Sequence, residues 1–138
     1  MLKRSPLDAL FSELVRERAN WICESCAIEL RHEPKRMHCA HIYSRRHVRI
    51  RHDPINAFCL CAKCHFEYTD KPLEFATFTV QKIGQAMADQ LSILARTVHK
   101  RPKGWEKEAK AHYRQELERM KLLRANGNTG YIEFAGYF

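Results

Sequence analysis

Two Cys-x-x-Cys pairs constrain what this chain can fold into more than any other feature. Cys23-Glu24-Ser25-Cys26 and Cys61-Ala62-Lys63-Cys64 have the spacing of a four-thiolate zinc site. Thiolates at about 2.3 Å around a tetrahedral ion leave no open position, so such a site is structural and supplies folding energy to loops that could not otherwise hold a geometry. Cys61 comes 35 positions after Cys26, a longer excursion than a compact zinc ribbon makes, so something useful is expected inside it. Cys39 and Cys59 fall on expected strands, where an isolated cysteine behaves as a small buried apolar residue, although either could stand in for one of the four.

The excursion carries His41, Asn56 and, directly after the last cysteine, His65. Cleaving a phosphodiester needs an activated water, a Lewis acid near the phosphate and a way to stabilise the leaving oxygen. A histidine suits the first task, and a second histidine, an asparagine or a carboxylate can hold a Mg²⁺-type ion with positions left for water and phosphate.

Charge is concentrated in the same stretch. The chain carries a formal +8. Residues 31 to 52 hold Arg31, Lys35, Arg36, Arg45, Arg46, Arg49 and Arg51 against the single acid Glu33, together with five of the eight histidines. Positive charge centred on metal-type residues implies a polyanion held there, against the plainer reading of a solvated basic loop. Arginine forks suit bidentate phosphate contacts, which makes Arg45 or Arg46 a candidate for stabilising the transition state. Lys35, Arg36, Arg46, Arg49 and Arg51 are expected to bind substrate phosphates, a role that carries little sequence information.

The 138 residues suit one domain: a core over about 21–72, a helical extension over 73–125 and an aromatic tail over 126–138. Ser5-Pro6-Leu7-Asp8 reads as a capped helix start, and Leu7, Phe11, Leu14 and Val15 give that helix one apolar face ending near Asn20. A zinc knuckle and loop over 21–36 lead to a strand over 37–43, a basic loop over 44–54, a strand over 55–60 and a short helix over 62–69. Pro72 opens further helix to 98, with Gly84 as a weak point or break. Trp105 to Ala125 is the clearest helix, stopped by Asn126-Gly127. The aromatic tail should pack on this chain or on a partner. No run approaches the eighteen or so apolar residues of a membrane helix, and the first residues lack the apolar stretch of a signal peptide. A cytoplasmic location without membrane attachment is therefore expected, where cysteines serve as metal ligands more often than as disulfides.

Ala40-His41-Ile42, Asn56 and Leu60-Cys61-Ala62-Lys63-Cys64-His65 together resemble the pattern of the HNH endonucleases. The resemblance implies an α+β, mostly helical chain. Its core would be a treble-clef-like ββα-metal unit braced by a structural Zn²⁺ and flanked by an N-terminal helix and C-terminal helices. It implies His41 as the general base, His65 as a ligand of a catalytic Mg²⁺ or Mn²⁺, and Asn56 as a constraint on the loop joining the strands, reaching the metal in some members. Products with 5′-phosphate and 3′-hydroxyl ends would follow. The segments His38-Cys39-Ala40-His41-Ile42, Ser44-Arg45, Cys61-Ala62-Lys63-Cys64 and Pro72-Leu73-Glu74-Phe75 are similar to the phage recombination nucleases of the NinG (Rap) type. Trp105 and Tyr113-Arg114 of the late helix fit as well. That narrower likeness makes branched or recombining DNA a candidate substrate, a bacterial host's cytoplasm the setting, and a homodimer cutting two strands the favoured assembly.

One position departs from the pattern. Many HNH members carry Asp or His just before the catalytic histidine as a metal ligand, and here that residue is Ala40. His38 is the candidate substitute, although an ideal strand points it the same way as residue 40, two positions away. The missing ligand motivates the competing expectation of a catalytically silent, zinc-stabilised nucleic-acid-binding module. A purely structural zinc protein is the third reading. Charge alone does not separate DNA from RNA.

Overall fold

The computed structural model describes residues 2–138. It is an α+β arrangement, mostly helical, built around one antiparallel hairpin. Helix α1 (Pro6–Arg18) begins as its sequence requires. The Ser5 side chain accepts from the Asp8 N–H while the Asp8 carboxylate accepts from the Ser5 N–H at 2.7 Å, a reciprocal cap worth about 1 kcal/mol. Leu7, Phe11, Leu14 and Val15 then turn one face inward and are almost fully buried.

The chain reverses after α1 through Asn20 and Trp21, both at positive φ, and runs into a tight knuckle at Cys23–Ala27. The knuckle does not hang free. Glu24 donates its N–H to the Cys59 carbonyl at 2.8 Å, and its carboxylate accepts the Cys59 N–H at 2.7 Å. Strand β2 (Ala57–Cys61) thus has the knuckle along one edge and β1 (Met37–His41) along the other, in the register Met37↔Cys61 to His41↔Ala57.

Strand β1 stops at His41, two residues short of the expectation, because Asn56 takes over the pairing. Its carbonyl accepts from the Ile42 N–H, and its side-chain oxygen accepts from the Tyr43 N–H. Its amide donates to the Tyr43 and Ile50 carbonyls at 2.9 and 3.1 Å. The loop between the strands is tightened further by 3₁₀ turns at Val48–Ile50 and Pro54–Asn56.

Helix α2 (Ala62–Asp70) leaves β2 directly, with Cys61 as its cap. The long helix expected after Pro72 is two: α3 (Pro72–Ile83) and α4 (Gln85–Ala95). Gly84 between them adopts φ 82°, a conformation that only glycine takes without strain. Helix α5 spans Trp105–Ala125 and lies against α1, burying Ala109, Tyr113, Leu117 and Met120. Phe11 is the hub of that interface, with ring centroids 6.1 Å from Tyr113, 6.0 Å from Phe134 and 5.8 Å from His41. The aromatic tail packs on its own chain. Phe134 is buried, Tyr137 donates from its hydroxyl to Glu108, and Phe138 lies under the Arg49 guanidinium. Among the described residues, no helix is long and apolar enough to cross a membrane.

Candidate metal cluster and histidine cleft

The knuckle and the β2–α2 junction bring Cys23, Cys26, Cys61 and Cys64 together, with their sulfurs all within 4.8 Å of one another. A tetrahedron of thiolates around zinc has S···S edges of about 3.8 Å. Cys26 Sγ lies 3.7 Å from Cys61 Sγ, so the donor set fits a structural ion. Each pair also points a backbone N–H at its first sulfur, Cys26 to Cys23 and Cys64 to Cys61, both at 3.5 Å. Such donors favour thiolate over thiol. Cys39 and Cys59 stay outside the cluster. They face each other across the hairpin, Cys59 buried and Cys39 half-buried at the wall of the cleft, and burial raises both thiols, that of Cys39 up to about 12, so neither offers a ready thiolate.

Beyond the cluster, the hairpin, α1 and α2 enclose an open cleft of about 830 Å³. His38, His41 and His65 all line it, with Arg45 and Lys35 on its rim. His38 reaches His65 despite the strand geometry: their Nδ1 atoms lie 2.9 Å apart. That is the length of a hydrogen bond between two neutral imidazoles. It also matches the separation of about 3.0 Å between adjacent ligands around an octahedral cation at about 2.1 Å. Burial, then the facing His38 ring, lowers the His65 pKa and keeps its lone pair available. Ala40 is buried in the core and offers nothing to the cleft.

His41 is held differently. Its Nε2 lies 3.2 Å from the Arg51 carbonyl oxygen. A carbonyl only accepts, so Nε2 carries the proton and Nδ1 keeps the lone pair. Burial pushes the His41 pKa down to about 4, only partly opposed by that hydrogen bond, and the ring is neutral across the physiological range. A neutral imidazole with one nitrogen tied and the other free is a proton acceptor.

The remaining candidates divide. Asn56 is fully buried and spends its side chain on the loop, which is the constraining role; it does not line the cleft. Arg45 lines the cleft and lies 3.4 Å from Asp8. Arg46 and Lys35 are exposed, and Arg36 is exposed but paired with Glu33. Arg51 and Arg49, expected on the substrate side, are spent inside the protein. Arg51 is forked onto Asp8, and Arg49 lies between Asp53 and the Phe138 ring.

Helix α1 contributes residues that sequence reasoning passed over. Asp8, Ser12 and Arg16 line the cleft, joined by Arg4 from just before the helix cap. The signal was there: the four recur at every fourth position, a polar stripe beside the apolar face. Comparison with known proteins found no matching family model, no matching curated protein and no matching solved structure.

Proposed function

We propose that this chain is a metal-dependent DNA endonuclease of the HNH kind, and that branched or recombining DNA is its substrate class. The observation that carries the reading is the convergence of a tied, neutral His41 and the His38–His65 pair in one open cleft rimmed by cations. The hairpin-then-helix order, with a thiolate cluster at the junction, is what the sequence resemblance calls for.

His38 and His65 would hold the divalent ion, with His38 substituting for the ligand absent at Ala40. A Mg²⁺ or Mn²⁺ bound there supplies Lewis-acid stabilisation of the phosphate oxygens. The chain's own residues do the rest. His41 Nδ1 accepts a proton from water as the water oxygen attacks phosphorus in line with the 3′ oxygen. The P–O3′ bond breaks, leaving a 5′-phosphate and a 3′-hydroxyl end that takes a proton from solvent. Arg45, steadied by Asp8, offers its guanidinium to the phosphate as charge builds on it. Lys35 and Arg46 hold flanking phosphates.

The buried methyl of Ala40 favours a second reading, a nucleic-acid-binding module without catalysis. One comparison separates the two. Wild type and His41→Ala are incubated with supercoiled, linear and four-way-junction DNA, with and without Mg²⁺ or Mn²⁺. Metal-stimulated cutting that vanishes in the variant while binding persists supports the nuclease. Binding with no cutting by either protein supports the silent module.

A further inference from the structure

Asp8 was expected only as part of the capped start of α1, yet it is buried at the wall of the cleft and its carboxylate is heavily bonded there. Its oxygens accept from Arg51 Nε at 2.9 Å, His52 Nε2 at 2.8 Å and the Ser5 N–H at 2.7 Å, and from Arg51 Nη2. Burial pushes its pKa up, but the hydrogen bonds from His52, Arg51 and Ser5 outweigh that and hold the carboxyl well below the usual range. The residue it grips is the one whose carbonyl accepts the hydrogen bond from His41 Nε2–H. The next peptide is pinned from the other side, where the Tyr113 hydroxyl donates to the His52 carbonyl at 2.6 Å.

We propose that Asp8 is a positioning residue for His41, acting through Arg51: it fixes the Arg51 backbone so that its carbonyl selects the Nε2–H form and leaves Nδ1 as the proton acceptor. The proposal rests on the reading of His41 as the base. The bond is already 3.2 Å long, so a carbonyl displaced by a few tenths of an ångström leaves hydrogen-bonding range and its hold on the tautomer weakens. Small misplacements of a catalytic group cost rate steeply.

Helix α1 contains its own control. Glu17 is equally buried and is also held by two arginines, Arg31 and Arg124, but it does not line the cleft. Asp8→Asn and Glu17→Gln each discharge one such carboxylate while keeping its shape. The tautomer of His41 is read from long-range ¹H–¹⁵N correlations of the imidazole, with no substrate present. In wild type and Glu17→Gln, Nδ1 is expected at the unprotonated position; in Asp8→Asn it shifts toward the protonated one. The single-turnover cleavage rate on saturating DNA should fall by at least about tenfold in Asp8→Asn, with the DNA Kd changed less than about twofold, and stay within about twofold in Glu17→Gln. If Asp8→Asn does not fold, Arg51→Lys, which keeps a cation but loses the fork, should give the same tautomer shift. An unchanged His41 tautomer on loss of the Asp8–Arg51 fork overturns the proposal, as does an equal shift in Glu17→Gln. A wild type that cuts no DNA overturns the catalytic half through the nuclease reading, while the tautomer shift still tells whether Asp8 sets the ring.

Discussion

Two side-chain clusters at one end of the hairpin are built differently. At the β2–α2 junction, four sulfurs face one another closely enough to enclose an ion completely. At the residue directly after Cys64, His65 meets one polar partner, His38, at the wall of the open cleft. Under the proposed function the difference is one of ligand count. A saturated donor set gives rigidity, and an unsaturated one leaves room for water and phosphate. Both rest on the same few residues of backbone, so an ion held by the sulfurs would also fix where the two imidazoles meet.

The sharpest way to break this comparison is to remove a sulfur. Cys61→Ser, or strong chelation of the wild type, should abolish the cooperative melt and most of the helical circular dichroism, because the knuckle loses its hold on β2. His41→Ala should leave that melt in place yet reduce cleavage by about 10²–10⁴-fold, read as initial rate at saturating metal and DNA. His65→Ala and His38→Ala should each raise the Mn²⁺ concentration for half-maximal cutting by at least about tenfold without disturbing the sulfur site; equal loss of fold in either would mean that the two clusters are not separable.

The pH dependence follows from the low His41 pKa. The ring stays neutral in the folded state down to about 4, whereas in the unfolded chain it takes a proton below its ordinary value of 6.5. The native state therefore loses stability as pH falls through that window and loses no more from this group below it. The unfolding free energies of wild type and His41→Asn should diverge across the window by an amount on the order of 3 kcal/mol at most, read from denaturant titrations. The smallest effect is expected on the rim: Lys35→Ala and Arg46→Ala should each flatten the salt dependence of DNA binding by about 0.9 in log–log slope.

Local chemistry made much of this architecture readable in advance. Ser5-Pro6 and Trp105 to Asn126 mark helix limits that tertiary packing had no reason to move, and the cysteine spacing marked the cluster. What escaped was decided between distant residues. Asp8 and Arg51 are 43 positions apart, so nothing near either one marks Arg51 as already taken. A run of positive charge read along the chain looks uniformly available, while the fold neutralises Arg31, Arg36, Arg49 and Arg51 with acids drawn from both ends of that run and beyond it. The histidine cleft divides the same way: the histidines were visible as residue types, but the carbonyl that orients His41 bears no side-chain signature.

Glu24 has a further consequence. By taking up both backbone groups of Cys59, it covers the outer margin of a two-stranded sheet that would otherwise be open to pairing with a neighbour. Losing the ion would release that guard along with the knuckle. Metal-stripped protein should therefore self-associate through its bared strand before it unravels completely, so storage in chelating buffer should yield precipitate in place of a clean apo-protein.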